Sequence, residues 1–228
     1  MNLLLVTILP SIIILSYFIY SDKFKEPKNL IIKVFLFGVL ICFPAGYLNY
    51  FSEILIPQTE IGEKLTSSFL GPAIWEEILK FLILYLFIVK KKEFNEPMDG
   101  IVYGVAASLG FATYENYYYV YTYAVELGVS SEAVAYIRAF SAVPMHGLNG
   151  CIMGFYFGQF VFTGEKRFLS FSLLMPFIFH GAYNFFIGDV PLIGYSIIIV
   201  MLIFSFLLHK NLKKAQVLKK KEYEKKII

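Results

Sequence analysis

Seven apolar runs, each about twenty residues long and bounded by charged or turn residues, take up nearly all of the 228-residue chain. They fall at about 2–20, 30–50, 67–89, 98–120, 138–162, 169–187 and 191–208. A helix crossing the hydrocarbon of a bilayer needs about 20 predominantly apolar residues, so the pattern predicts an all-α, polytopic membrane bundle. The composition agrees, since 58% of residues are hydrophobic and only 16% charged, whereas a soluble domain carries about 25% charged residues. That deficit excludes a disordered chain, a coiled coil and a free nucleic-acid binder. Cys42 and Cys151 lie in separate apolar runs, so neither a disulfide framework nor a CxxC motif is present. No internal repeat is visible. One integral membrane domain is expected over residues 1–208, followed by a basic cytoplasmic tail over 209–228.

Lysine and arginine set the expected orientation. Lys23, Lys25 and Lys28 follow the first run, while Lys64 alone follows the second. Lys90, Lys91 and Lys92 follow the third; Arg138, at the mouth of the fifth, is the only base after the fourth. Lys166 and Arg167 follow the fifth, the 186–190 turn has no base, and eight lysines follow the seventh. The alternation predicts an outside N-terminus and a cytoplasmic C-terminus. The first run lacks a basic leading region and a small-residue cleavage site, so it reads as a retained helix rather than a secretory signal. Tyr117, Tyr118, Tyr119, Tyr121 and Tyr123 cluster at the expected outer end of the fourth run and read as interfacial anchors. His209, beside Lys210, reads as interfacial too.

Four neighbouring runs carry ionisable groups that are costly in hydrocarbon and usually mark function. The third holds Glu76, Glu77 and Lys80, and the fourth Glu115 and Asn116. The fifth holds His146 and Asn149, and the sixth His180 and Asn184. Lys80 follows the two glutamates by four and three residues, so it can reach either. Adjacent glutamates diverge by about 100° around a helix; one is expected to do chemistry and the other to pair or orient. His146 and Asn149 share a face, as do His180 and Asn184. At about 1.5 Å per residue, Glu76, Glu115, His146 and His180 all come to roughly 7–14 Å below the outer surface. Pro144 and Pro176 each remove a helical donor shortly before a histidine, which suits a wet cavity. Gly150 and Gly154 have the spacing of close helix packing.

Such a cluster suits hydrolysis. A glutamate can act as general base on water, and histidine and asparagine can donate to the oxyanion formed when that water attacks an amide. Alternatively His146, His180 and a glutamate, Glu76 or Glu115, could hold a zinc ion that activates the water. No HExxH is present, so this second reading rests on residue type alone. A rival from another class is a proton-coupled transporter or channel using the same groups as a relay; transporters usually show internal repeats and a site near the midplane. A non-enzymatic assembly factor is a third.

The elements Glu76-Glu77-x-x-Lys80, Phe111-x-x-x-Glu115-Asn116, His146 with Gly150 four later, and His180-x-x-x-Asn184 stand in order over about residues 67–187. In these the chain resembles the PrsW family of intramembrane proteases, related to the CAAX prenyl proteases and the bacteriocin-immunity membrane peptidases. The wider group has Glu-Glu-x-x-x-Arg and Phe-x-x-x-His; here a lysine stands one position earlier and Glu115 replaces the histidine, which favours the PrsW branch. The resemblance implies a bacterial cell-membrane peptidase with Glu76 as base and His180 with Asn184 as electrophilic donors, while Glu77, Glu115 and His146 orient or complete the site. It implies as substrate a single-pass membrane anti-sigma factor, cut first on its extracytoplasmic side to start release of an extracytoplasmic-function sigma factor. No cofactor is required in this reading, nor any nucleic-acid partner.

Overall fold

The computed structural model describes residues 2–55 and 59–225 of the chain, and among them it is all helical. In chain order the helices are α1 (Leu3–Ser21), α2 (Lys28–Leu55), α3 (Glu60–Leu65), α4 (Ile74–Leu82), α5 (Pro97–Tyr118), α6 (Ala124–Glu126), α7 (Ser131–Phe140), α8 (Ala142–Thr163), α9 (Lys166–Ile187) and α10 (Pro191–Lys225). Three π-helical segments, Thr66–Ala73, Ile83–Ile88 and Tyr119–Tyr123, extend or join their neighbours without a break in helicity. Each of the seven apolar runs is therefore helical. Four helical stretches, Leu3–Ser21, Lys28–Leu55, Lys166–Ile187 and Pro191–Lys219, are long and apolar enough to cross a membrane by length and composition.

The helix at the centre is α5. Every residue from Met98 to Ala112 is buried, with α8 packed along one side, α2 along another and α1 against it as well. Small residues permit this. A methyl group built on Gly154 would overlap the Gly100 carbonyl, and one on Gly104 the Gly150 carbonyl, so α5 and α8 meet backbone to backbone. On the opposite side, a methyl group on Gly110 would meet the Phe35 carbonyl of α2. The spacing of Gly150 and Gly154 thus does mark packing, as in membrane helix pairs that associate through small residues.

Local signals set the helix ends. Glu96 and Asp99 form a reciprocal capping box around Pro97 at the start of α5, with Asp99 Oδ2 accepting from the Glu96 N–H at 2.8 Å. Gly164 closes α8 in the left-handed region at φ 75°, its N–H bonding the Phe160 carbonyl.

Two sequence expectations change here. The fifth run does not begin as one helix at Arg138: α7 ends at Phe140, Ser141 breaks the chain at φ −128° and ψ −80°, and α8 starts afresh at Ala142. Pro144 therefore sits in a first turn, where a missing N–H costs no hydrogen bond. It frees no carbonyl. α10 runs on through the basic stretch to Lys225, burying Leu212 and Gln216. Residues 226–228, with Lys226, and the side chains of 220–225 lie outside the described residues. His209 is buried within the protein, its Nε2 2.9 Å from Ser21 Oγ and its ring against Phe18.

The glycine contacts carry a prediction. Gly154→Val should destabilise the detergent-solubilised protein by about 1–3 kcal/mol or more, lowering its melting temperature. Gly46→Ala, at a helical position where an added methyl meets nothing within 4 Å, should leave it unchanged or slightly raised.

Candidate active site

Just before α4 the chain widens into the π-helical segment Thr66–Ala73, with Pro72 inside it. Such segments often accompany functional positions. The first two turns of α4 then carry Glu76, Glu77 and Lys80, all buried. Adjacent on the helix, the two glutamates point to different places. Glu77 turns toward α9, where its Oε1 lies 2.8 Å from His180 Nδ1 and 2.9 Å from Lys80 Nζ. Lys80 Nζ, fully buried, also reaches Glu76 Oε2 at 3.5 Å and His146 Nδ1 at 3.1 Å, and it lies over the Phe111 ring at 4.2 Å. A cation in a dry interior is tolerated only when its hydrogen bonds and charge are answered. Lys80 has two carboxylates, an imidazole and an aromatic face.

His146 on α8 is held from both sides. Its Nδ1 accepts from the Lys80 ammonium, so its Nε2–H is the atom that donates to Glu115 Oε2 at 3.0 Å. The Ser108 hydroxyl on α5 donates to the His146 backbone carbonyl at 2.7 Å. Glu115 is answered in turn by Arg138 from α7, with Nη2 at 2.5 Å from the same oxygen. Arg138 Nε donates to Asn116 Oδ1 at 2.9 Å, Asn116 Nδ2 donates to the Thr7 carbonyl of α1, and Tyr119 covers the guanidinium. The site is thus one connected polar network drawn from α1, α4, α5, α7, α8 and α9. The His146 and His180 rings stand edge to face, 5.0 Å apart.

A cavity of about 1140 Å³ opens beside this network. Glu76, Glu115, His146, His180 and Asn184 line it; Glu77 and Lys80 do not. It extends to Tyr50, Tyr123 and Gly188, near the ends of α2, the Tyr119–Tyr123 segment and α9. A space this size accepts a peptide segment. Glu76, His146 and His180 each offer one ligand atom, all within 4.8 Å of one another. Two imidazoles and a carboxylate are a donor set that zinc takes. His180 fits best, since Glu77 holds its Nδ1 and leaves Nε2 facing Glu76 Oε2 at 4.0 Å, the usual support for a ligating histidine. His146 joins only if Lys80 releases its Nδ1 or Glu115 its Nε2.

The structure brings together Glu76, Glu77, Lys80, Glu115, His146 and His180, with Asn184 on the cavity wall. Asn149 is not among them, although it shares a helix with His146: its Nδ2 donates to the Pro176 carbonyl at 3.3 Å. Arg138 was missed as a site residue. Its signal, a lone arginine at the mouth of an apolar run, reads equally as an orientation marker. Of the tyrosines expected at the interface, Tyr117, Tyr118 and Tyr123 are exposed, and Tyr118, Tyr119 and Tyr123 also wall the cavity.

Comparison with known proteins identifies the family. Residues 26–209 match the family described as PrsW family intramembrane metalloprotease. A protein named Protease PrsW from Bacillus subtilis is 38% identical over 182 residues, covering 78% of this chain and 79% of the relative. One of the same name from Geobacillus kaustophilus is 36% identical over 210 residues, covering 91% and 89%. Another from Clostridioides difficile is 30% identical over 212 residues, covering 89% and 84%. No solved structure matches the chain. The chain belongs to the PrsW family of intramembrane proteases, and with its apolar helices it is a multi-pass cell-membrane peptidase.

Proposed function

We propose that this peptidase makes the first cut in a single-pass membrane anti-sigma factor, with Glu76 as the base that activates water. The observation that carries the mechanism is the division between the two glutamates: Glu76 lines the cavity with His180 and Asn184, whereas Glu77 is committed to Lys80 and His180. Glu76 takes a proton from water as the oxygen attacks the scissile carbonyl carbon, and later returns it to the departing amide nitrogen. Glu77 accepts from His180 Nδ1–H and so holds the ring with Nε2 toward the cavity, where a proton carried on it is donated, together with Asn184, to the developing oxyanion. Lys80 fixes Glu77 through their ion pair, and Arg138 holds Glu115 against His146. The family's metal would be held by Glu76, His146 and His180, and when bound it supplies a Lewis acid for the scissile carbonyl. His180 Nε2 serves either as ligand or as donor, so the two chemistries compete for one nitrogen. Membership of a peptidase family displaces the transporter and assembly-factor alternatives.

The anti-sigma substrate rests on the family resemblance. The side of the cut rests on topology: we read the chain as crossing the bilayer seven times with its N-terminus outside, as the lysine alternation predicts. The cavity runs toward the lysine-poor connections, at residues 50, 123 and 188, which supports a cut near the outer surface.

Glu76→Gln should cut cleavage of a purified anti-sigma substrate by about 10²–10⁴-fold without lowering the melting temperature; normal turnover would remove the proposed base. Lys80→Met, leaving Glu77 without its lysine partner in a dry interior, should lower both turnover and stability, the latter by about 3–5 kcal/mol. For the topology, Val129→Cys in intact cells should react with an impermeant thiol reagent, and Glu165→Cys should react only after lysis. The reverse pattern would invert the proposed orientation.

A further inference from the structure

A second buried cluster of carboxylates lies far from the peptidase site. Asp22 and Glu26 come from the connection between α1 and α2, and Asp99 from the first turn of α5. Asp99 precedes Glu115 by sixteen residues on one helix, about 24 Å at 1.5 Å per residue. One oxygen from each of Asp22, Glu26 and Asp99 lies within 4.8 Å of the others, and all three residues are more than nine-tenths buried. Glu96 stands beside them, its carboxylate shared between Gln216 Nε2 and Lys219 Nζ.

Their hydrogen bonds leave a remainder. Asp22 Oδ1 accepts from the Phe24 N–H at 3.0 Å and from Gln216 Nε2 at 2.7 Å, while Asp22 Oδ2 has no hydrogen-bond partner among the described residues. Asp99 Oδ2 accepts from the N–H groups of Asn95 and Glu96, while Asp99 Oδ1 has no hydrogen-bond donor among the described residues. Glu26 Oε2 accepts from the Tyr103 hydroxyl. Lys219 pairs with Glu96, but among the described residues no lysine or arginine pairs with Asp22, Glu26 or Asp99. Unpaired buried acceptors and uncompensated negative charge are both costly. A cation answers both.

We propose that Asp22, Glu26 and Asp99 form a binding site for a hard divalent cation of the Mg²⁺ or Ca²⁺ class, separate from the peptidase centre. The donors are all oxygens, with no imidazole or thiolate, which selects this class over zinc. Asp22 and Glu96 are both bonded to Gln216 on α10, so the ion clamps the α1–α2 connection, the start of α5 and the C-terminal extension of α10 into one unit. The site is a stability device at the end of the bundle away from the cavity, and it needs no particular peptidase mechanism.

The test uses the full-length protein in a non-ionic detergent, stripped with a chelator and returned to CaCl₂ or MgCl₂. Equilibrium dialysis should find one Ca²⁺ or Mg²⁺ per chain that Asp22→Asn/Asp99→Asn does not hold. The melting temperature of the wild type should rise by about 5 °C at an ion concentration one hundred times Kd, and that of the variant should not. Zinc content and cleavage measured without added Ca²⁺ or Mg²⁺ should be the same in both. If the double variant fails to fold, Glu26→Gln, which keeps an acceptor for Tyr103, takes its place and should weaken ion binding at least tenfold. A wild type that neither binds nor is stabilised by either ion overturns the proposal and leaves a proton shared between Glu26 and Asp99 as the neutralising device. Equal binding by wild type and variants overturns it as well.

Discussion

The ammonium of Lys80 organises the candidate active site. Stripped of water, it must be answered by acceptors already in place, and the desolvation of such an ion costs several kcal/mol before any pairing is counted. Its partners come from its own helix and from α8, with Phe111 of α5 beneath it. Meeting that demand fixes Glu77, Glu77 orients His180 on α9, and His146 is turned so that its other nitrogen meets Glu115. Glu76 is the member held most loosely, at 3.5 Å from the lysine, and it faces the cavity.

That arrangement needs helices close enough for short side chains to meet. The glycine contacts between α5 and α8 provide the approach, and Ser108 of α5 can consequently bond the His146 backbone itself. The break at Ser141 does the complementary work: it lets α7 take its own direction, so Arg138 reaches Glu115 and Asn116 instead of continuing the line of α8. The central helix α5 is consequently asymmetric along its length. One end carries Glu115 and the cavity; the other carries Asp99 and a pocket of carboxylates.

Much of the peptidase site was legible in the sequence because hydrocarbon makes ionisable residues conspicuous. Glu76, Glu77, Lys80, Glu115, His146 and His180 stand out against apolar neighbours, and helix rise alone brings the four helices' groups to one level. Arg138 did not stand out, since at a helix mouth an arginine is cheap and signals orientation. Asp22, Glu26 and Asp99 were hidden for the same reason. Asp22 and Glu26 sit in a connection and Asp99 in the first turn of a helix, where charge is ordinary, and the stretch Asp22-Lys23-Phe24-Lys25-Glu26 reads as a solvated loop. Gln216, the residue that joins Asp22 to Glu96, is nearly two hundred positions from Asp22, and no local pattern announces such a partner.

By itself the sequence determined the all-helical membrane class, the runs that become helices and the residues too costly to leave in lipid, because each follows from length, hydropathy and local spacing. Which glutamate turns to the cavity, which histidine nitrogen is left to serve it, and where the basic tail docks were decided only by the tertiary structure. Adjacent residues on a helix differ by a rotation whose meaning depends on the neighbour that each one meets. Those neighbours are set by the packing of separate helices, not by the order of residues along any one of them.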